Sequence, residues 1–248
     1  TDYLAEQLET PRYVGAENLR EMVEAGEQWA IGEDTECSKE AEEIIKTRLL
    51  GQVFAVAGQI VDEEICSLED VDRGAKVGLR WAKGPFELAN RIGIDVARSM
   101  AADYSELANF PLPKAWERDG KFDFNYVDLQ VDGDIATITI NRPEAMNALN
   151  ATVIGQLGNA IDMANSNEDV ATIVLDGAGK AFVAGADVKF FVDKIKADSF
   201  PDIYDFTADG HVVLNKLEDS SKTTIALTTG LSLGGGLELS LIHISEPT

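Results

Sequence analysis

Asp128-Leu129-Gln130-Val131-Asp132-Gly133-Asp134-Ile135-Ala136-Thr137-Ile138-Thr139-Ile140 is where the periodicity of this 248-residue sequence changes. Apolar residues alternate with polar ones in two short runs around Asp132-Gly133, the pattern of a β-hairpin. Downstream, Val153, Leu157, Ile161 and Ala164 keep one face apolar and predict a helix from about Ala151 to Asn165. The β-branched run Ala171 to Leu175, a turn at Asp176 to Gly179, a helical segment near Ala186 to Lys196 and a strand at Thr223 to Thr228 follow. Strand, helix, strand, helix, strand is the order of parallel βαβ units.

Upstream the period is helical, and no strand signal precedes residue 125. Ile45, Leu49, Val53, Ala57 and Val61 form an i, i+4 stripe, predicting a helix from Lys39 to Val61 with that stripe on a core. Ser67-Leu68-Glu69-Asp70 has the form of a capping box and introduces a helix over Val71 to Trp81. Gly84-Pro85 stops it, and helical spacing resumes over Phe86 to Ala89 and Ile92 to Met100. Pro111, Pro113 and the charged and aromatic residues up to Phe124 mark residues 109–125 as a linker. The fold class expected is α/β, an all-α domain over residues 1–108 followed by an α/β domain over 126–238.

Composition narrows the function. With 45% hydrophobic and 26% charged residues and 7 prolines, the chain is neither disordered nor fibrous. No run approaches the roughly eighteen consecutive apolar residues of a membrane span, so no membrane association is expected. The sequence begins at Thr1 without a Met or a basic leader, which predicts a cytoplasmic protein whose start is cut or processed. Cys37 and Cys66 have no CxxC spacing and no nearby histidine, so neither a metal site nor a disulfide is expected. The net charge is −23, spread over both halves, and such a surface repels nucleic acid and anionic lipid. Adaptation to a salt-rich cytoplasm would account for it.

Two stretches put glycine at strand-to-helix turns, where backbone amides can bind an anion or a developing oxyanion. One is Phe182-Val183-Ala184-Gly185-Ala186-Asp187-Val188. The other is Gly230-Leu231-Ser232-Leu233-Gly234-Gly235-Gly236-Leu237-Glu238. Three successive glycines let a ligand touch the backbone, and the carboxylate of Glu238 stands just past them. Taken singly, each feature is more often a tight turn or a helix-dipole partner; two such loops in one domain favour a site.

These residues carry a resemblance. Asn141-Arg142-Pro143-Glu144-Ala145-Met146-Asn147-Ala148-Leu149, Leu175-Asp176-Gly177 with Lys180 to Lys189, and Gly234 to Glu238 are similar to motifs of the crotonase (enoyl-CoA hydratase/isomerase) family. The resemblance implies the crotonase fold, built of repeated ββα and βαβ units, and an acyl-CoA thioester as substrate. It also implies an oxyanion hole from the Ala186 and Gly235 amides and Glu238 as a catalytic acid–base group. Ala145, Met146, Ala184, Ala186, Asp187, Val188, Lys189 and Gly235 would line the acyl-CoA site. Family hydratases carry a second catalytic glutamate downstream of Glu238, and family members form trimers and hexamers, so a homo-oligomer is expected of the full-length protein.

The helical half resembles the C-terminal domain of 3-hydroxyacyl-CoA dehydrogenases through Glu63-Glu64-Ile65-Cys66, Asp70 to Ala75, Gly78 and Gly84-Pro85-Phe86-Glu87-Leu88, with Asn90 where that family carries an acid. No GxGxxG follows a strand, so this fragment is expected to bind no cofactor, NAD belonging to the dehydrogenase part of the full-length enzyme. The combined resemblance implies part of a bifunctional fatty-acid β-oxidation enzyme that hydrates 2-enoyl-CoA and oxidises the 3-hydroxy product. A double-bond isomerase, another acyl-CoA lyase or a non-catalytic acyl-CoA binder are the alternatives. The last ten residues, 239–248, are similar to the in-frame translation of a transposase sequencing adapter. They predict a truncated domain, inactive by itself, in which His243 has no role; His211 is expected to be solvated or to cap a helix.

Overall fold

The structure is a computed structural model that describes residues 17–26 and 37–242. Residues 243–248, including His243, lie outside the described residues, as does much of the stretch before Lys39. The chain divides into two compact units, Thr1–Asp123 and Phe124–Thr248.

In the first unit, Glu17–Glu24 forms α1. Ser38 accepts a hydrogen bond from the Ala41 amide and starts α2, Lys39–Asp62. The face that α2 buries differs from the apolar stripe. Ile45 and Leu49 are more than half exposed, while Gly51, Phe54, Ala55, Ala57 and Gly58 are buried. Size decides this: a Cβ on Gly51 would sit 2.3 Å from the Met100 carbonyl oxygen, and one on Gly58 would sit 2.5 Å from the Trp116 ring nitrogen. The small residues therefore admit α5, Ile94–Leu107, and the indole to contact distance. By length and hydropathy α2 also satisfies the requirement for crossing a bilayer, which the search for an unbroken apolar run did not anticipate. In this unit its glycine face is covered by α5 and Trp116.

The capping box holds: Ser67 Oγ accepts from the Asp70 amide at 3.2 Å and begins α3, Leu68–Gly78. α4, Pro85–Ile92, is separated from α5 by Gly93, whose φ of 104° only glycine adopts without strain. Residues 109–123 do not run free as the linker reading expected. Trp116 is fully buried among Phe54, Phe86 and Phe122, with ring centroids 5.3–5.8 Å away, and its ring N–H donates to the Phe54 carbonyl at 3.0 Å. Asn90 both donates to the Phe122 carbonyl and accepts from the Phe122 amide, at 2.8 and 2.7 Å. An ionised acid at that position could only accept.

In the second unit, β1 (Val127–Asp132) and β2 (Ile135–Ile140) pair antiparallel around Gly133-Asp134. β3 (Thr172–Gly177) and β5 (Thr223–Ala226) add in parallel, giving the order β1-β2-β3-β5. Asn150 caps α6, Ala151–Ser166, whose predicted stripe Val153, Leu157, Ile161 and Ala164 is buried against the sheet residues Ala136, Ile138, Ile173 and Leu175. Two elements lie outside the sequence reading. One is α8, Phe200–Glu218, which follows α7, Val188–Lys196, and buries Phe206, Val213 and Leu217. The other is a two-stranded parallel pair, β4 (Ala181–Val183) with β6 (Leu231–Ser232). β6 leads into α9, Gly235–Leu241. The fold is thus a helical unit followed by an α/β unit.

Candidate active site

The Arg142–Leu149 loop is tied along the Ala184–Asp187 loop by three backbone hydrogen bonds: Ala184 N–H to Met146 O, Leu149 N–H to Gly185 O, and Asp187 N–H to Leu149 O, at 2.8–3.1 Å. The turn that makes this possible places Met146 and Asn147 at φ 51° and 56°. Buried Asn147 fixes it, donating to the carbonyls of Ala178 and Ala181 and accepting from the Arg142 amide. A parallel bridge pairs Leu149 with Ala186, bonded through the groups flanking Ala186. The Ala186 amide itself therefore points away from Leu149, and it has no acceptor among the described residues.

Backbone packing that only glycine permits joins this loop to the second. Gly185 has φ 82°, and a Cβ on it would meet the Leu233 carbonyl oxygen at 2.9 Å. A Cβ on Gly236 would lie 1.9 Å from the Val183 carbonyl oxygen. Leu233 donates to Val183 O at 3.0 Å, which aligns the second loop on the end of β4. Gly236 and Leu237 bond back to Leu233 and Gly234, whereas the amide of Gly235, the first residue of α9, has no acceptor among the described residues.

Ala186, Gly235 and Glu238, from two loops distant in sequence, line one cavity of about 190 Å³. Leu149, Ile154, Leu157, Phe206, Val213 and Leu239 supply much of its apolar wall. Among the lining residues Glu238 is the one carboxylate, and it is exposed. Two bare amides and a carboxylate on residues that line one largely apolar space can stabilise an oxyanion and move a proton on the same ligand.

The other residues expected at the acyl-CoA site, Ala145, Met146, Ala184, Asp187, Val188 and Lys189, do not line the cavity. Ala145 ends a short 3-10 turn, Met146 is half exposed, and Val188 and Lys189 are exposed on the first turn of α7. The carboxylate of Asp187 is already engaged: it pairs with Arg142 at 2.8 Å and accepts from the Lys189 amide at the start of α7. Arg142 also donates to the Ala148 carbonyl. Sequence reasoning missed the α8 wall, which brings Thr207, Gly210 and His211 to the cavity. His211 is exposed, as expected, but lies inside the helix and not at its cap. The spacing of Phe206, Val213 and Leu217 was the available signal for this helix. No cluster of metal-ligating side chains occurs among the described residues.

Residues 135–244 match the profile of the enoyl-CoA hydratase/isomerase family. This match falls within the second unit and covers less than half of the chain. Residues 45–118 match the C-terminal domain of 3-hydroxyacyl-CoA dehydrogenase. A probable enoyl-CoA hydratase of Mycobacterium tuberculosis is 39% identical over 111 residues, which are 45% of this chain and 41% of the relative. The short-chain-enoyl-CoA hydratase of Clostridium acetobutylicum is 36% identical over 120 residues, 48% of this chain and 44% of that protein. A solved enoyl-CoA hydratase from Thermoplasma volcanium aligns at 34% identity and a TM-score of 0.43 over 47% of this chain and 45% of that one. The chain spans less than half the length of the curated relatives it matches. Of the residues expected to be catalytic, Ala186, Gly235 and Glu238 all line the cavity; of those expected along the substrate, Ala186 and Gly235 do.

Proposed function

We propose that the hydratase/isomerase domain binds a 2-enoyl-CoA thioester and adds water across its double bond, as one activity of a longer fatty-acid β-oxidation enzyme. The observation that carries this reading is the convergence of the bare Ala186 and Gly235 amides with Glu238 on one apolar cavity. Addition of water at C3 builds negative charge on the thioester oxygen, which two fixed N–H donors stabilise without reorganising; one such donor contributes about 3 kcal/mol. Glu238 orients the water and handles its proton, a contribution of about a hundredfold to ten-thousandfold. The exposed Lys189, in the first turn of α7, suits the phosphates of coenzyme A.

The similarity of residues 45–118 to the dehydrogenase C-terminal domain supports a second activity in the longer enzyme, NAD-dependent oxidation of the 3-hydroxy product. The residues present do not fit NAD: the first unit, among the described residues, consists of helices without a strand-to-helix glycine turn that could hold a pyrophosphate. No step of the present site is routed through it.

The test is crotonyl-CoA hydration, followed by loss of the conjugated thioester absorption in a protein that carries this domain with its downstream region. Glu238→Gln lowers the rate about a hundredfold to ten-thousandfold with binding retained; an unchanged rate overturns the assignment. A double-bond isomerase is the second reading, favoured by Glu238 being the only carboxylate on the cavity among the described residues. One carboxylate suffices to carry a proton from C2 to C4, so accumulation of 2-enoyl product from a 3-enoyl thioester, with no 3-hydroxy product, selects it.

A further inference from the structure

Glu238 is not the only titratable side chain on the cavity. His211 reaches it from α8, on a different wall from the α9 residue Glu238. The imidazole makes no hydrogen bond or ion pair among the described residues, so both ring nitrogens are open to a ligand. Its one polar neighbour on the α8 wall, Thr207, lies one turn away and donates its hydroxyl proton to the Ile203 carbonyl at 2.9 Å. Gly210, immediately before His211, lines the same wall, and a Cβ there would meet nothing within 4 Å. Apart from His211, Thr207 and Glu238, the lining side chains are apolar and offer a water or a hydroxyl no side-chain partner. A cavity this small spans only a few hydrogen-bond lengths, so an imidazole and a carboxylate on its walls act on one ligand.

We propose that His211 is a second polar contact for the oxygen that is added to the substrate: with Glu238 it holds the attacking water, and afterwards the 3-hydroxyl of the product, from the α8 side of the cavity. This rests on the enoyl-thioester reading above. The reaction balances with water alone. Its oxygen bonds to C3, one of its protons ends on C2 through the acid–base group, and His211 accepts or donates a hydrogen bond throughout without net transfer. The chemistry recognised is a hydroxyl on an acyl thioester, as opposed to a plain alkyl chain.

The experiment is calorimetric binding of butyryl-CoA and 3-hydroxybutyryl-CoA to the 248-residue chain and to its His211→Leu and His211→Gln variants. Because His211 is exposed and without a partner among the described residues, both variants retain the fold, checked by circular dichroism. The unsubstituted chain binds the hydroxylated thioester more tightly. His211→Leu reduces that preference about threefold to tenfold, the weight of one hydrogen bond, leaves butyryl-CoA affinity unchanged, and His211→Gln restores part of it. A structural role for His211 would move both ligands together and overturn the proposal. A preference untouched by His211→Leu also overturns it while leaving the thioester reading intact. Failure of the chain to bind either thioester overturns both.

Discussion

Of the described helices that have a glycine N-cap, α4 and α9 treat their first amides in opposite ways. α4 has Gly84 as its N-cap and Pro85 as its first residue, so the first amide proton is absent. The next two amides, of Phe86 and Glu87, each donate at 2.8 Å to the buried carboxylate of Asp72, which comes from α3. Gly84 is glycine because a Cβ there would lie 2.2 Å from the Asp72 carboxyl carbon. α9 has Gly234 as its N-cap and Gly235 as its first residue, and there the first amide is kept and left without an acceptor among the described residues. One helix start is closed by the protein's own carboxylate and the other is open on a cavity. The same local sequence device, glycine before a helix, is filled by a carboxylate in one case and left open in the other.

Gly235→Pro breaks the contrast most directly, since it gives α9 the same first residue as α4. Proline is tolerated at that position of a helix, and a Cβ on Gly235 meets only Leu149 Cδ1, at an ordinary 3.5 Å. Only the N–H is lost. Hydration of crotonyl-CoA is expected to fall about a hundredfold to a thousandfold, about 2.7–4 kcal/mol of transition-state stabilisation, with little change in the thermal midpoint. A rate within a factor of a few of the unsubstituted protein would remove the Gly235 amide from the oxyanion hole.

The converse change opens the closed helix start. Asp72→Ala leaves two amides at the start of α4 without their acceptor in a buried setting and is expected to destabilise the first unit by about 3 kcal/mol, read from urea unfolding. Thioester binding by the second unit should not change. Loss of less than about 1 kcal/mol would mean that water replaces the carboxylate and that the two helix starts differ less than their hydrogen bonds suggest.

How much of this was legible in the sequence follows from the range of each interaction. Val153, Leu157, Ile161 and Ala164 repeat within one helix and face one sheet, so periodicity alone located them. The Ser67 cap, three residues long, was equally plain. The site loops were legible because bare backbone requires glycine, and glycine is visible in a sequence whatever the partner. Asp72 was not legible as a cap: it lies 14 and 15 residues from the amides it holds, and nothing local distinguishes it from Asp70. Ile45 and Leu49 read as core residues because apolarity was taken for burial, whereas the close approach of α5 at Gly51 selected the glycine face. The role of α8 was hidden for a related reason. His211 acquires a meaning only from the cavity opposite, which residues 149 to 239 build together.

The smallest effect concerns the proton on Asp72 and sharpens the contrast between the two helix starts. Burial pushes its carboxyl above the ordinary 3.8, against the pull of the Phe86 and Glu87 amides and of Lys76, with Glu87 adding a further push upward. The folded state therefore holds that proton more tightly than the unfolded chain does. Between 3.8 and the folded value, folding takes up a proton, so the contribution of this group to stability falls as pH rises through that interval. One titrating group gives a slope of at most about 1.4 kcal/mol per pH unit. Asp72→Asn keeps an acceptor for one amide and has no proton to exchange. The stability difference, unsubstituted minus Asp72→Asn, is accordingly expected to decline with rising pH in urea titrations across the acid range. A difference that rises instead would show that the two amide bonds outweigh burial, making the start of α4 an anion site that the protein fills for itself, and α9 the same kind of site left for a ligand.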